Sequence, residues 1–265
     1  MLYFLFSFEN GFNLNHLGLL GQLFASDTYA EINGAVAMGK VIPLPIVLAL
    51  LLLSAFIGYL MGSINTAVIV SGKMYNEDVR SYGSGNAGFS NMMRNYGKKA
   101  SLITLAGDFL KTVVAVMIGW VLYGYAGAVT GGFFTFIGHI FPMFFKFRGG
   151  KGVVCLASVI FMLDWRLFLI AVAIFVVAVL VTKYISFGSV LSGMTLPLFM
   201  SRVYGGTLTP QGLRLKSYAT ILAFIAVVIL VFKHKENLKR IFNGTESKFE
   251  FKKSKKESAA SQAEK

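Results

Sequence analysis

A single cysteine in 265 residues excludes a disulfide framework. Cys155 stands in an apolar run with no basic partner expected beside it, so it reads as a small buried hydrophobe rather than a nucleophile. His139 and His234 are far apart, and with one cysteine they make no metal set. Charge is scarce as well. Only 14% of residues are charged, against about 25% in a soluble domain. Acidic residues number 12 against 25 Lys and Arg. No repeat of fixed period is visible. The apolar start "MLYFLFSF" lacks a positive n-region, and no small-residue cleavage site accompanies Glu9, so it is not read as a signal peptide.

What remains is hydrophobic. Apolar residues make up 55% of the chain, and the mean hydropathy is +0.67. They fall in blocks of roughly 17–25 residues, the length that spans a bilayer. Seven blocks are present, at about 44–71, 99–125, 127–145, 151–164, 166–183, 186–205 and 216–233. The expected fold is all-α, a polytopic membrane protein of about seven transmembrane helices. The third, fourth and sixth blocks are short or glycine-rich and suit helices buried between others. Three regions follow. Residues 1–42 are an N-terminal extension with no usable motif, for which an interfacial segment is one reading. Residues 43–246 are the membrane domain. Residues 247–265 are a basic, disordered cytoplasmic tail.

Charge orients the bundle. With the N-terminus outside, the external segments hold five cations: Lys40, Arg166, Arg202, Arg214 and Lys216. Lys111 lies within a block, which leaves 19 on the internal face. Lys and Arg excess marks the cytoplasmic side, so the C-terminus is cytoplasmic. The net charge of +13 therefore needs no nucleic-acid partner; a basic face on an anionic leaflet accounts for it.

Three polar islands interrupt the apolar pattern, all on that face. In "GSGNAGFSNMMR" (83–94), Gly83, Gly85 and Gly88 allow close backbone approach. Ser84, Asn86, Ser90 and Asn91 offer hydroxyls and amides, and Arg94 offers a planar donor fork for phosphate or carboxylate. A flexible connector with topology charges is the other reading. In "RGGKG" (148–152), Gly149, Gly150, Lys151 and Gly152 precede an apolar helix, an arrangement that presents N–H groups and a cation to a phosphate. It is not a Walker loop, and a tight basic turn is the alternative. In "HKEN" (234–237), His234 and Asn237 share a helical face, either as interfacial residues or as part of a site. Asp108 and Lys111, at i and i+3 inside a block, are expected to pair or to face the site. His139 is expected to play a structural, hydrogen-bonded role.

Taken together and in this order, the islands resemble the motifs of the bacterial acyl-phosphate:glycerol-3-phosphate acyltransferase family. "GSGNAGFSNMMRNYG" (83–97) is similar to the first motif, "GHIFPMFFKFRGGKG" (138–152) to the second and "HKENLKRIFNGTE" (234–246) to the third. The likeness runs from about Tyr59 to Glu246. Phe89 and Ser90 stand where the family usually has Ala-Thr, as do Val154 and Cys155. The resemblance implies transfer of an acyl group from acyl phosphate to glycerol 3-phosphate in the bacterial inner membrane. It implies seven spans and neither cofactor nor metal. It places Ser84, Arg94, His234 and Asn237 in the catalytic set. Gly83, Gly85, Asn86, Asn91 and the 149–152 turn with Lys151 bind substrate, and Glu246 is a structural partner. Whether His234 or substrate phosphate takes the proton is left open. An anion transporter is the rival from another class, but its expected inverted repeat is not visible.

Overall fold

A backbone entering hydrocarbon must satisfy its own N–H and C=O groups, which a helix does locally. The apolar blocks accordingly form helices in the computed structural model, which describes residues 26–32, 35–41, 43–203 and 210–249. In chain order these are α1 (Leu44–Ser63), α2 (Thr66–Tyr75), α3 (Phe89–Ile140), α4 (Val153–Leu163), α5 (Trp165–Thr182), α6 (Ile185–Val203), α7 (Pro210–Lys233) and α8 (Lys235–Phe242). Leu44–Tyr75, Phe89–Phe145 and Trp165–Thr182 are long and apolar enough to cross a membrane. Tyr218–Lys233 qualifies together with α8, which bends away by 51°. Leu169, Val177, Leu180 and Val181 of α5 lie exposed, as side chains facing lipid would.

The long α3 is not one rod. Its backbone leaves the helical region at Gly97 and again at Tyr123 and Gly124, the latter with φ of 51°. The second break reverses the chain. A side chain at Gly119 would fall on the backbone of Gly127, and one at Gly131 on that of Ala115. The expected second and third spans are the two arms of this hairpin. Gly58 and Gly62 of α1 lie directly on the backbone of Gly131 and Thr135 in the second arm. Small residues allow that approach, and dispersion at close range replaces the hydrophobic drive that lipid removes.

The first block, expected as one helix, breaks at Ile64 and Asn65. Asn65 Oδ1 caps α2 by accepting from the Val68 N–H at 3.1 Å. The carbonyls freed at the end of α1 find a donor on α3: Lys111 Nζ reaches Ile64 O at 2.6 Å and Gly62 O at 3.2 Å. A break at this depth stands because another helix satisfies it.

Ahead of the helices, β1 (Ser26–Ile32) and β2 (Ala35–Val41) pair antiparallel, with Ser26 opposite Val41 and Ile32 opposite Ala35. The membrane part is helical as expected, and the extension adds this hairpin. No hydrophobic block signals it, but Asn33 and Gly34 stand between the two stretches, the strongest short-range hairpin signal in sequence. The tail beyond Phe249 lies outside the described residues.

Cys155 is fully buried with Phe136, Ile140, Ala226 and Leu230, where α3, α4 and α7 meet. It behaves as the small hydrophobe expected. The expectation that no base stands near it fails, because folding brings His139 of α3 within electrostatic reach.

Candidate active site

The stretch between α2 and α3 is held by two side chains. Arg80 pairs with Asp78 at 2.7 Å and donates through Nη1 to the carbonyls of Phe145 and Arg148, at 2.8 and 3.0 Å. The first and second islands are thereby latched together. Asn91, in the first turn of α3, accepts from the Ser84 N–H at 3.0 Å and donates to the carbonyls of Val79 and Tyr82. Its Oδ1 also accepts from Asn95. Asn91 is buried and its amide is spent on the loop. Expected to bind substrate, it instead shapes the turn in which Gly83 and Gly85 adopt φ of 58° and 67°. Neither of those glycines lines the cavity described next; Ser84, Asn86 and Arg94 do.

That cavity has a volume of about 970 Å³. Lys151 and Gly152 line it from the second island, and His234, Asn237 and Glu246 from the third. The three islands meet at one place. Gly149 and Gly150 do not line it. Their N–H groups donate to Ile140 O and His139 O, at 3.2 and 3.1 Å, and so tie the turn to the end of α3. Sequence spacing suggested that these groups face a ligand; the last carbonyls of α3, otherwise orphaned, take them instead. The start of α4 does face the cavity. Gly152, Val153 and Val154 line it, and no side chain caps that helix end. A helix N-terminus in that state favours an anion.

At the third island, His234 sits at the bend between α7 and α8. Its Nδ1 lies 2.8 Å from the Leu230 carbonyl, which can only accept, so Nδ1 carries the proton and Nε2 keeps its lone pair. Burial, reinforced by the Lys151 charge, pushes the His234 imidazole down to about 4, well below the range expected from an isolated histidine. Asn237 joins two groups. Its Oδ1 accepts from Lys151 Nζ, and its Nδ2 donates to Glu246 Oε1 at 2.6 Å. Glu246 also accepts from Ser186 at 2.8 Å and from Arg240 at 2.7 Å. Burial would raise its carboxyl; these three donors outweigh that and hold it below its ordinary value. Burial pushes the Lys151 ammonium down to about 8. Glu246 opposes that shift, and the cations Arg240 and Arg94 add to it. Among the described residues, neither the Arg94 guanidinium nor the Ser84 hydroxyl has a partner.

Two features escaped the sequence. Ser186 and Phe249 line the cavity beside Glu246, and the Phe249 N–H donates to Lys183 O at 2.7 Å, which draws the chain after α8 along the cavity. Nothing in their sequence context marks them. Asp108 and His139 of α3 and Ser189 and Ser192 of α6 line it too, and most of the rest is apolar: Leu102 and Phe109 of α3, Ile160 of α4, Phe168 and Phe175 of α5, Leu196 of α6 and Leu230 of α7. At that wall, Lys111 Nζ pairs with Asp108 Oδ1 at 2.8 Å, which also accepts from Thr66 at 3.0 Å. His139 Nδ1 lies 3.1 Å from Lys111 Nζ. The expected pairing and the hydrogen-bonded role of His139 are both observed. Among the described residues no three His, Cys, Asp or Glu side chains come together as a metal would require.

A cationic pocket opening onto an apolar one suits a substrate pair of phosphate and fatty tail, and comparison with known proteins agrees. The sequence model of the family described as glycerol-3-phosphate acyltransferase matches residues 52–244. A glycerol-3-phosphate acyltransferase of Thermoanaerobacter sp. (strain X514) is 41% identical over 196 residues, covering 74% of this chain and 94% of its own length. One from Brucella anthropi is 38% identical over 203 residues, with 76% and 94% covered. The crystal structure of PlsY, an integral membrane glycerol 3-phosphate acyltransferase, in its glycerol 3-phosphate form superposes with a TM-score of 0.66 at 27% identity, covering 76% of this chain and 96% of that one. Its lysophosphatidic acid form gives 0.62 at 25%, with the same coverage. The chain belongs to the glycerol-3-phosphate acyltransferase family and is an integral membrane enzyme of that class.

Proposed function

We propose that this chain transfers the acyl group of an acyl phosphate to sn-glycerol 3-phosphate, giving lysophosphatidic acid and inorganic phosphate, the first step of phospholipid biosynthesis. It does so in a bacterial inner membrane, with seven spans, the N-terminus outside and the site on the cytoplasmic side. It uses no cofactor and no metal. The observation that carries this reading is one cavity lined both by Arg94, Lys151 and His234 and by apolar residues of five helices, α3 to α7. One substrate is soluble and doubly charged, and the other carries a hydrocarbon tail. A site lined in both ways accepts the two at once.

Lys151, with the uncapped start of α4, holds the phosphate of glycerol 3-phosphate. Arg94 faces the acyl phosphate and neutralises charge as the carbonyl becomes tetrahedral, with Ser84 donating beside it. The glycerol hydroxyl attacks the acyl carbon, the bond from that carbon to the phosphate oxygen breaks, and phosphate leaves. His234 Nε2 accepts a hydrogen bond from the attacking hydroxyl and orients it. Its pKa of about 4 makes it a weak base, so the departing phosphate takes the proton. Proximity and fixed charge supply the acceleration. The test is purified protein in detergent with palmitoyl phosphate. Glycerol 3-phosphate should trigger release of phosphate and formation of lysophosphatidic acid. Product formed from an acyl thioester but not from the acyl phosphate overturns the donor assignment.

A further inference from the structure

We propose that His139, backed by Asp108 and Lys111, is a positioning residue for glycerol 3-phosphate, seating the turn that carries Lys151. This rests on the reading that Lys151 holds the substrate phosphate. The starting observation is a buried ion pair whose side chains are 6% and 2% exposed. A buried pair is weak evidence for stability, since well-packed apolar residues often serve as well. Its contacts instead lead to the site.

Lys111 ties the pair to the α1–α2 break through the carbonyls of Gly62 and Ile64. It also reaches His139 Nδ1 at 3.1 Å. Nδ1 also lies 3.5 Å from Asp108 Oδ1, so both members of the pair hold that edge of the ring and leave Nε2 as its second nitrogen. That second nitrogen lies under the turn. A methyl group added at Gly150 would land on His139 Nε2 and on the Ala87 carbonyl of the first island. The Gly150 N–H, in turn, donates to the His139 backbone carbonyl at 3.1 Å. Residue 150 is thus seated on His139 through both its backbone and its ring, and the next residue is Lys151. The imidazole also lines the cavity, but it is only 3% exposed and its second nitrogen is covered by the turn that carries Lys151, so its contact there is with the turn.

The experiment measures KM for glycerol 3-phosphate and kcat with palmitoyl phosphate. In His139→Asn the amide stays near the Nδ1 position and keeps an acceptor for Lys111, but the space under Gly150 is left unfilled. In His139→Gln the amide extends toward the Nε2 position. His139→Asn should raise KM about 10-fold with kcat within about threefold, the size of effect a slight misplacement produces, and His139→Gln should recover most of it. In a Lys151→Ala background, His139→Asn should add less than about twofold, because the residue being positioned is gone. If the histidine variants fail to fold, Gly150→Ala reads the same contact from the other side and should show the same KM effect and the same loss of effect without Lys151. Equal penalties in both backgrounds, a fall in kcat at unchanged KM, or a wild-type KM in Gly150→Ala each overturn the positioning role. A wild-type KM in Lys151→Ala alone overturns the phosphate assignment itself, and this inference with it.

Discussion

Raising the pH should switch off glycerol 3-phosphate capture two pH steps earlier than an ordinary lysine would. An exposed lysine titrates near 10.4. Burial brings Lys151 down to about 8, with Arg240 and Arg94 adding to the shift. A cation with a lowered pKa loses its charge as pH rises through the folded value, so capture is present below about 8 and lost above it. At pH 7 about nine in ten molecules carry the charge, and at pH 9 about one in ten, so kcat/KM for glycerol 3-phosphate should fall roughly tenfold across that interval. The substrate's own phosphate titrates near 6 and does not intrude above pH 7. Initial rates of phosphate release at low glycerol 3-phosphate, read from pH 7 to 10, give the profile directly. Lys151→Arg keeps its charge throughout and should flatten it, whatever its absolute rate. A wild-type profile flat to pH 9.5 refutes the argument, because it means that Lys151 either stays charged or does not bind substrate.

Arg94→Ala and Arg94→Lys should both lose at least ~100-fold in kcat while inserting normally, the cost of removing one preorganised charge stabiliser; near-normal turnover in Arg94→Lys refutes the need for a donor fork. Glu246→Ala leaves Ser186, Asn237 and Arg240 without their shared acceptor and should cost about 1–3 kcal/mol, seen as a lower Tm in detergent, together with a raised KM as Asn237 loses its anchor against Lys151. An unchanged Tm refutes that link. Single cysteines placed by Ser84→Cys or Lys151→Cys should react with cytoplasmic reagents, and Tyr123→Cys, at the α3 reversal, should not; cytoplasmic labelling at 123 inverts the topology.

The hydrophobic blocks announced the helices because spacing and length are local properties, and seven blocks correspond to the helical segments between Leu44 and Lys233. The islands were visible for the same reason: glycine, amide and cation clusters stand out against an apolar chain. The Asp108 and Lys111 pair was legible because three residues on a helix are neighbours. The exceptions were local signals of a different kind. The hairpin ahead of α1 was signalled by two residues, Asn33 and Gly34, which a search for apolar blocks passes over.

Direction and partnership belonged to the tertiary structure. Composition alone makes Gly149, Gly150 and Asn91 donors of equal promise to Arg94. Folding spends the first two on the end of α3 and the third on its own loop, while leaving Arg94 facing the cavity. The basicity of His234 could not be read from its neighbours in sequence, because the burial and the Lys151 charge that lower it come from a distant turn. Residue type, hydropathy and motif were written in the chain, since each depends on a few adjacent residues. Which polar atoms remain free for chemistry depended on groups brought together across the fold, as Lys151 and Asn237 are across 86 residues of sequence, and only the packed structure holds those contacts.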